Sequence, residues 1–247
     1  MASNANSTTD APAAVPEHLK DRVKASYDAI ATEYNDWTKD HWHIKTQYLD
    51  KLLGHLESAP PAKGDSTPAQ PRRYLELGCG AGVPILDTLL ARDPATTVVA
   101  NDLSTAQIDL ARSHLAKHGA GRVEYAPGDM LALDFPANSF DAVIALYSIC
   151  HLPPAEQVDM FRKLGGWVKP GGGVLVNVTN EVNKGLTLDT WLADDKGWMY
   201  WSGLGPEETL KVVREQAGLD VVETAVDGGV DDTFFWIIAR KGGGVST

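Results

Sequence analysis

Residues 74–84 read Tyr-Leu-Glu-Leu-Gly-Cys-Gly-Ala-Gly-Val-Pro, from Tyr74 to Pro84. The run from Tyr74 to Leu77 is apolar with a single charge, the pattern of a buried strand. Gly78, Gly80 and Gly82 follow at alternate positions. Lacking Cβ atoms, they allow positive φ and present bare backbone N–H groups at the strand tip. Pro84 suits a first helical turn, and Ile85, Leu89 and Leu90 continue at helical spacing. Strand, glycine turn and helix in this order predict the ligand-binding corner of a doubly wound α/β sheet.

The glycines are spaced G-x-G-x-G, whereas a dinucleotide fingerprint is G-x-G-x-x-G. Glu76 sits two residues before the first glycine, where a carboxylate can meet a ligand's ammonium directly or through water. This combination resembles the first motif of the class I, Rossmann-like, S-adenosylmethionine-dependent methyltransferases. The resemblance implies S-adenosyl-L-methionine as cofactor, S-adenosyl-L-homocysteine as product, and contacts from Glu76, Gly78, Cys79, Gly80 and Gly82. A glycine turn also follows strands that bind nothing, so the remaining strand tips have to be weighed with it.

The chain has 247 residues, 43% of them hydrophobic, enough for one domain with a real core and a small cap. No run approaches the ~18 apolar residues of a membrane span. A net charge of -11 opposes binding to nucleic-acid backbones, whose affinity comes mainly from Lys and Arg, and suits a small neutral or cationic substrate. Two cysteines, Cys79 and Cys150, give neither a disulfide framework nor metal-ligand spacing. The expectation is a metal-free protein of a reducing, cytoplasmic compartment. Nothing in the sequence sets its oligomeric state. Residues 1–16, rich in Ser, Ala, Asn and Thr, lack a signal-peptide pattern and read as a disordered tail.

Val23, Tyr27, Ile30 and Tyr34 recur at helical spacing, so 17–37 is predicted to be one amphipathic helix. The stretch Tyr27 to Tyr34, Y-D-A-I-A-T-E-Y, also resembles the N-terminal cap of small-molecule methyltransferases that include quinone-biosynthesis enzymes. By that resemblance Tyr27 and Tyr34 close over the methionine end of the cofactor; the competing reading is a packing stripe. Trp37, His41, Trp42 and His43 stand close together in a polar setting, which makes His41 and His43 candidates for a substrate pocket or simply solvated side chains. Ile44, Tyr48, Leu52 and Leu56 mark a packing helix. The Pro-rich stretch 58–73 reads as a surface linker between a helical cap, 17–57, and a core, 74–241.

Residues 96–100, T-T-V-V-A, form a second predicted strand ending at Asp102, where a doubly wound fold places a ribose-binding acid. The family carries its ribose acid here as well. A helix cap is the other reading, but Ser104, three residues before Gln107, already supplies a capping box. Leu103 then lies along adenine, and Gln107 either reaches the ribose or merely caps the helix. A third strand, 123–126, ends in Pro-Gly-Asp129-Met130, matching the family's adenine-binding pair, although a turn aspartate after Pro-Gly is also common. Three acid-bearing strand tips in order, Glu76, Asp102 and Asp129, are harder to explain as turns than any one alone.

The apolar run 142–146 predicts a fourth, buried strand beside the first. The family uses the backbone near Leu146 to hold the methionine ammonium. Tyr147, Ser148 and His151 follow, and they are candidates to meet a methyl acceptor; His151 as a base, with Tyr34 as a positioning hydroxyl. His151 can equally bond a loop carbonyl. A helix over 156–168, a Lys-Pro-Gly stop and a fifth strand, 174–179, again resemble the family. Residues 180–205 hold Trp191, Trp198, Tyr200 and Trp201 with weak periodicity, a substrate lid or inter-element packing, with Trp198 and Trp201 as candidate substrate contacts. A helix over 206–217 and strands over 220–224 and 233–240 close the chain, before a tail at 242–247.

The expected fold is α/β: a doubly wound, mostly parallel seven-stranded sheet with an antiparallel last strand and an N-terminal helical cap. The expected function is methyl transfer from S-adenosyl-L-methionine to a nitrogen, oxygen or sulfur nucleophile of a small-molecule acceptor, without nucleic acid. A non-catalytic cofactor-binding partner subunit shares the same motifs. A nicotinamide-dependent oxidoreductase lacks support, because neither its glycine spacing nor a Tyr-x-x-x-Lys pair is present.

Overall fold

The computed structural model describes residues 15–58, 71–192, 194–228 and 233–243. Most of the expected N-terminal tail, linker and C-terminal tail lies outside these residues, as does the tip of the closing turn. Helices α1 (Leu19–Ala29), α2 (Ala31–Trp37) and α3 (Trp42–Glu57) precede the sheet; α4 (Ile85–Arg92), α5 (Thr105–Leu115), α6 (Pro154–Trp167) and α7 (Gly205–Lys211) lie within it. The strands are β1 (Arg73–Leu77), β2 (Thr97–Asp102), β3 (Val123–Pro127), β4 (Phe140–Ala145), β5 (Val168–Thr179), β6 (Val182–Leu188), β7 (Met199–Leu204), β8 (Leu219–Gly228) and β9 (Thr233–Lys241).

Seven strands form one sheet in the order β3-β2-β1-β4-β5-β9-β8. β1 to β5 run parallel, with Tyr74 opposite both Val98 and Ala142, and β9 inserts antiparallel between β5 and β8. This is the mostly parallel seven-stranded sheet expected from the sequence. The chain leaves β1 to one side and returns through β4 on the other, which opens a crevice at the strand tips between them.

Side chains alternate across each strand. Leu75, Leu77, Val99, Val143 and Ala145 therefore pack against Met160, Phe161 and Leu164 of α6 on one face. Tyr74, Val98, Ala100, Ala142 and Ile144 meet α3, α4 and α5 on the other. Each buried Leu or Ile contributes about 1.5–3 kcal/mol, and this two-sided burial fixes where the strand tips stand.

Four elements differ from expectation. The first helix breaks at Ile30 (φ −103, ψ 15), whose side chain is fully buried. In an unbroken helix Tyr27 and Tyr34 would be separated by a rise of roughly 10 Å; after the break their rings lie 5.1 Å apart. The aromatic stretch 180–205 is only partly a loop: it contains the antiparallel hairpin β6–β7, with Leu186 opposite Trp201, and Trp191 and Trp198 lie between the two strands. Its first strand is interrupted by Gly185 and a register shift between Asn183 and Leu186, and its apolar residues Val182, Leu186 and Leu188 are exposed. Finally, β5 starts at Val168 directly after α6, and Lys169 to Gly172 are taken up in a shift of the β4–β5 register. Pro84 occupies the N-cap of α4 rather than its first turn. Among the described residues no helix is long and apolar enough to cross a membrane.

Candidate active site

The three glycines after β1 all have positive φ, but they face different neighbours. A Cβ on Gly78 would fall 2.4 Å from Ser148 Cβ, so the β1 and β4 tips approach only because no side chain intervenes. Gly80 opens toward a cavity, its nearest neighbour there being Gln107 Oε1 at 3.7 Å. Gly82 instead faces α5, where a Cβ would meet Leu115 Cδ1 at 2.8 Å, and it does not line that cavity. Its expected ligand contact gives way to helix packing. The Cys79 side chain likewise turns into the apolar cluster under α3 and α4, and burial raises its thiol pKa.

The cavity brings together Tyr27, Tyr34, Gly78, Gly80, Asp102, Leu103, Gln107, Asp129, Met130, Tyr147, Ser148 and His151. Asp102, at the end of β2, accepts from Gly80 N at 2.8 Å and Ser104 N at 2.9 Å. Ser104 caps α5 by accepting from Gln107 N, as its sequence position predicts. Asp102 is nevertheless not left free, since its two oxygens each hold one backbone N–H. Each oxygen retains a second lone pair. Burial pushes the Asp102 pKa up to about 6 against those two bonds.

Asp129 accepts from Leu131 N at 3.0 Å and from Lys20 Nζ at 2.6 Å. The first bond is the turn role foreseen as its alternative; the second was not legible in sequence. Glu76 is 5% exposed and lies outside both cavities, on the sheet face toward α3; burial raises its pKa, opposed by Lys45. Leu146 is buried in the same cluster, so only its backbone can reach the crevice. Tyr147, with φ 56, turns its N–H to Asn177 Oδ1 at 2.6 Å.

A second, larger cavity adjoins the first. Both are lined by Tyr27, Tyr34, Tyr147 and His151. Trp37, Trp191, Trp201 and Phe234 form aromatic walls, with His41, Lys45 and Cys150 beside them and Leu186 and Leu188 also lining it. The rings touch in sequence: Tyr34 to Trp191 at 5.4 Å, Trp191 to Trp37 at 5.6 Å, and Trp191 to Trp201 at 5.8 Å between centroids.

His151 stands where the cavities meet. Its Nδ1 lies 2.7 Å from the Tyr200 carbonyl of the hairpin, which can only accept, so Nδ1 carries the proton. Nε2 then accepts from the Tyr27 hydroxyl at 2.9 Å. Burial lowers the imidazole pKa to about 4, opposed by the Tyr200 carbonyl. His151 thus bonds a backbone carbonyl, one in strand β7 rather than in a loop, while it also lines both cavities.

Of the expected substrate contacts, Ser148 lines the first cavity only, and two lie outside both. His43 is exposed and lines neither cavity. Trp198 packs with Leu19, Val23 and Tyr200 under α1, with the Arg22 guanidinium 3.6 Å over its ring. Sequence reasoning missed Leu19, Lys20 and Val23 in the first cavity, and Lys45 and Phe234 in the second, whereas Trp37 and Trp191 stand in the pocket-lining and lid groups read from the sequence. The helical stripe holding Val23 was the signal available.

A family model described as a methyltransferase domain matches residues 75–172. The chain is 33% identical over 211 residues to the ubiquinone biosynthesis O-methyltransferase of Paracidovorax citrulli, spanning 79% of this chain and 83% of that protein. It is 30% identical over 155 residues to methyltransferase GfsG of Streptomyces halstedii, covering 61% of this chain and about half (54%) of that protein. The fold matches the 1,6-didemethyltoxoflavin-N1-methyltransferase of Burkholderia thailandensis, solved with S-adenosylhomocysteine and 1,6-didemethyltoxoflavin bound. The TM-score is 0.66 at 18% identity, over 95% of this chain and 93% of that one. A glycine-floored cavity at the switch of a doubly wound sheet, and a relative matched over most of its length, establish that the chain belongs to the class I S-adenosylmethionine-dependent methyltransferases.

Proposed function

We propose that the first cavity holds S-adenosyl-L-methionine, and that the methyl group passes to a ring-bearing, largely apolar small molecule in the second. The observation that carries this is the meeting of the two cavities at Tyr27, Tyr34, Tyr147 and His151. The residues present fit the cofactor: Gly78 and Gly80 leave backbone bare, and Gln107 Oε1 and Ser148 Oγ are buried without a hydrogen-bond partner among the described residues. Asp102 is the acceptor for ribose hydroxyls, with Leu103 and Met130 against adenine and Asp129 accepting from its amino group.

The cofactor supplies a methyl already activated on a sulfonium, so the protein's main task is orientation in line with the S–CH3 bond, which can supply roughly 7–11 kcal/mol of a barrier. Tyr34 and Tyr147 border both compartments and position the acceptor at their junction. His151 is the proton acceptor for a hydroxyl that replaces Tyr27 at Nε2. With its pKa held near 4 by burial, His151 is a weak base. It takes the proton late, after the forming O–C bond has made the hydroxyl strongly acidic. The aromatic walls favour planar apolar acceptors through ring stacking. Oxygen is the favoured nucleophile, in keeping with the ubiquinone biosynthesis O-methyltransferase relative.

The test is a screen for S-adenosylhomocysteine release from S-adenosylmethionine with hydroxylated arenes, arylamines and small aliphatic thiols. Turnover of hydroxylated arenes supports the reading. Turnover confined to small thiols would overturn it, because they need neither the aromatic walls nor a proton acceptor.

A further inference from the structure

Lys20, on α1, reaches across the first cavity to two carboxylates. Its Nζ lies 2.6 Å from Asp129 Oδ2, at the tip following β3, and 2.8 Å from Glu156 Oε2, in the first turn of α6. The other Asp129 oxygen is held by Leu131 N. The carboxylate is thereby gripped on both oxygens, and one ammonium holds together two acids that would otherwise repel. Burial works against the charge on Lys20, but its bonds to Asp129 and Glu156 outweigh it and raise its pKa. Leu19 and Val23 of the same helix also line the cavity, so docking of α1 and placement of Asp129 are one event.

We propose that Lys20 is a positioning residue that fixes the Asp129 carboxylate for the 6-amino group of the purine and so sets the preference for an adenine over a 6-oxopurine. The proposal rests on the reading of Asp129 as the adenine-facing acid. A carboxylate held on two sides cannot rotate to suit a ligand, so it accepts from an amino group and repels a carbonyl oxygen. Freed of Lys20, it turns toward solvent, and discrimination falls along with affinity.

Calorimetry with two probes tests this without any methyl acceptor: S-adenosylhomocysteine and its 6-oxo analogue S-inosylhomocysteine. The wild type is expected to prefer the amino compound by tenfold or more. Lys20→Met lowers that preference at least threefold, whereas Lys20→Arg restores most of it. If Lys20 merely docks α1, Lys20→Met weakens both ligands equally and leaves the ratio unchanged, which overturns the proposal. Asp129→Asn separates the two levels of the argument. If it leaves the preference intact, the adenine reading of Asp129 falls and takes the proposal with it. If it abolishes the preference while Lys20→Met does not, only the role of Lys20 falls.

Discussion

The glycine turn supports a prediction in which two residues of identical type, two positions apart, separate binding from stability. Gly80→Ala places a methyl where no atom lies within 3.7 Å, on the cavity floor, at φ +53. The cost to folding is only the left-handed backbone of an alanine, about 1–2 kcal/mol. Gly82→Ala carries a similar backbone cost at φ +75 and also drives its methyl to 2.8 Å from Leu115 Cδ1. Leu115 is 1% exposed, so the core must give way. Overpacking of that kind adds about 1–3 kcal/mol, for a total of roughly 2–5 kcal/mol. Urea unfolding gives the stabilities and calorimetry with S-adenosylhomocysteine the affinities. Gly80→Ala should lose at least tenfold in affinity with modest destabilisation. Gly82→Ala, measured where it is fully folded, should bind within about threefold of the wild type while unfolding at clearly lower urea. A Gly82→Ala protein of normal stability but poor affinity would refute the assignment of Gly82 to helix packing.

His151 couples stability to pH. Its folded pKa near 4 lies below the ordinary value of 6.5, so the fold favours the neutral ring. The contribution is complete above pH 6.5 and disappears as pH falls through 6.5 toward 4, with about 2 kcal/mol lost between pH 7.5 and pH 5. Asp102, raised to about 6, works in the opposite direction over part of that range. The effect is therefore read as the difference between wild type and His151→Gln; parallel pH profiles would show that His151 is not buried neutral. Asp28 of α1 accepts from Ser104 Oγ at 2.6 Å and Ala106 N at 3.1 Å, which makes it a second cap for α5 supplied from another helix. Asp28→Ala should cost about 1 kcal/mol, measured as a lowered urea midpoint at pH 7, and an unchanged midpoint would deny it that role.

The parts of this molecule that were legible in sequence are those written in local pattern. The strand tips at Asp102 and Asp129 could be found because each closes or follows a short strand with an acid, and because Ser104 and Gln107 announce the helix that follows; Glu76, read with them, lies inside β1 and outside both cavities. The break at Ile30 was not legible: the apolar spacing of Val23, Tyr27 and Tyr34 is that of a continuous helix, and tertiary burial of Ile30 bends it. The hairpin β6–β7 escaped notice because Lys184 and Gly185 break the apolar alternation of Val182, Leu186 and Leu188, where the pairing register also shifts. Glycine spacing cannot say which face each glycine turns to, so Gly82 reads like Gly80. Lys20 and Asp129 are 109 residues apart, and Asp28 and Ser104 are 76 apart. Contacts of that separation leave no trace in local periodicity, and they are what fasten the cap to the core.

The most direct test of the account is calorimetric titration of the wild type and Asp102→Ala with S-adenosylhomocysteine, alongside a check that the variant keeps its far-ultraviolet circular dichroism. Asp102 binds two backbone N–H groups and keeps lone pairs toward the cavity, so its loss should weaken binding by tenfold or more, about 1.4 kcal/mol. A folded Asp102→Ala protein that binds S-adenosylhomocysteine as tightly as the wild type would contradict the placement of the cofactor in the first cavity.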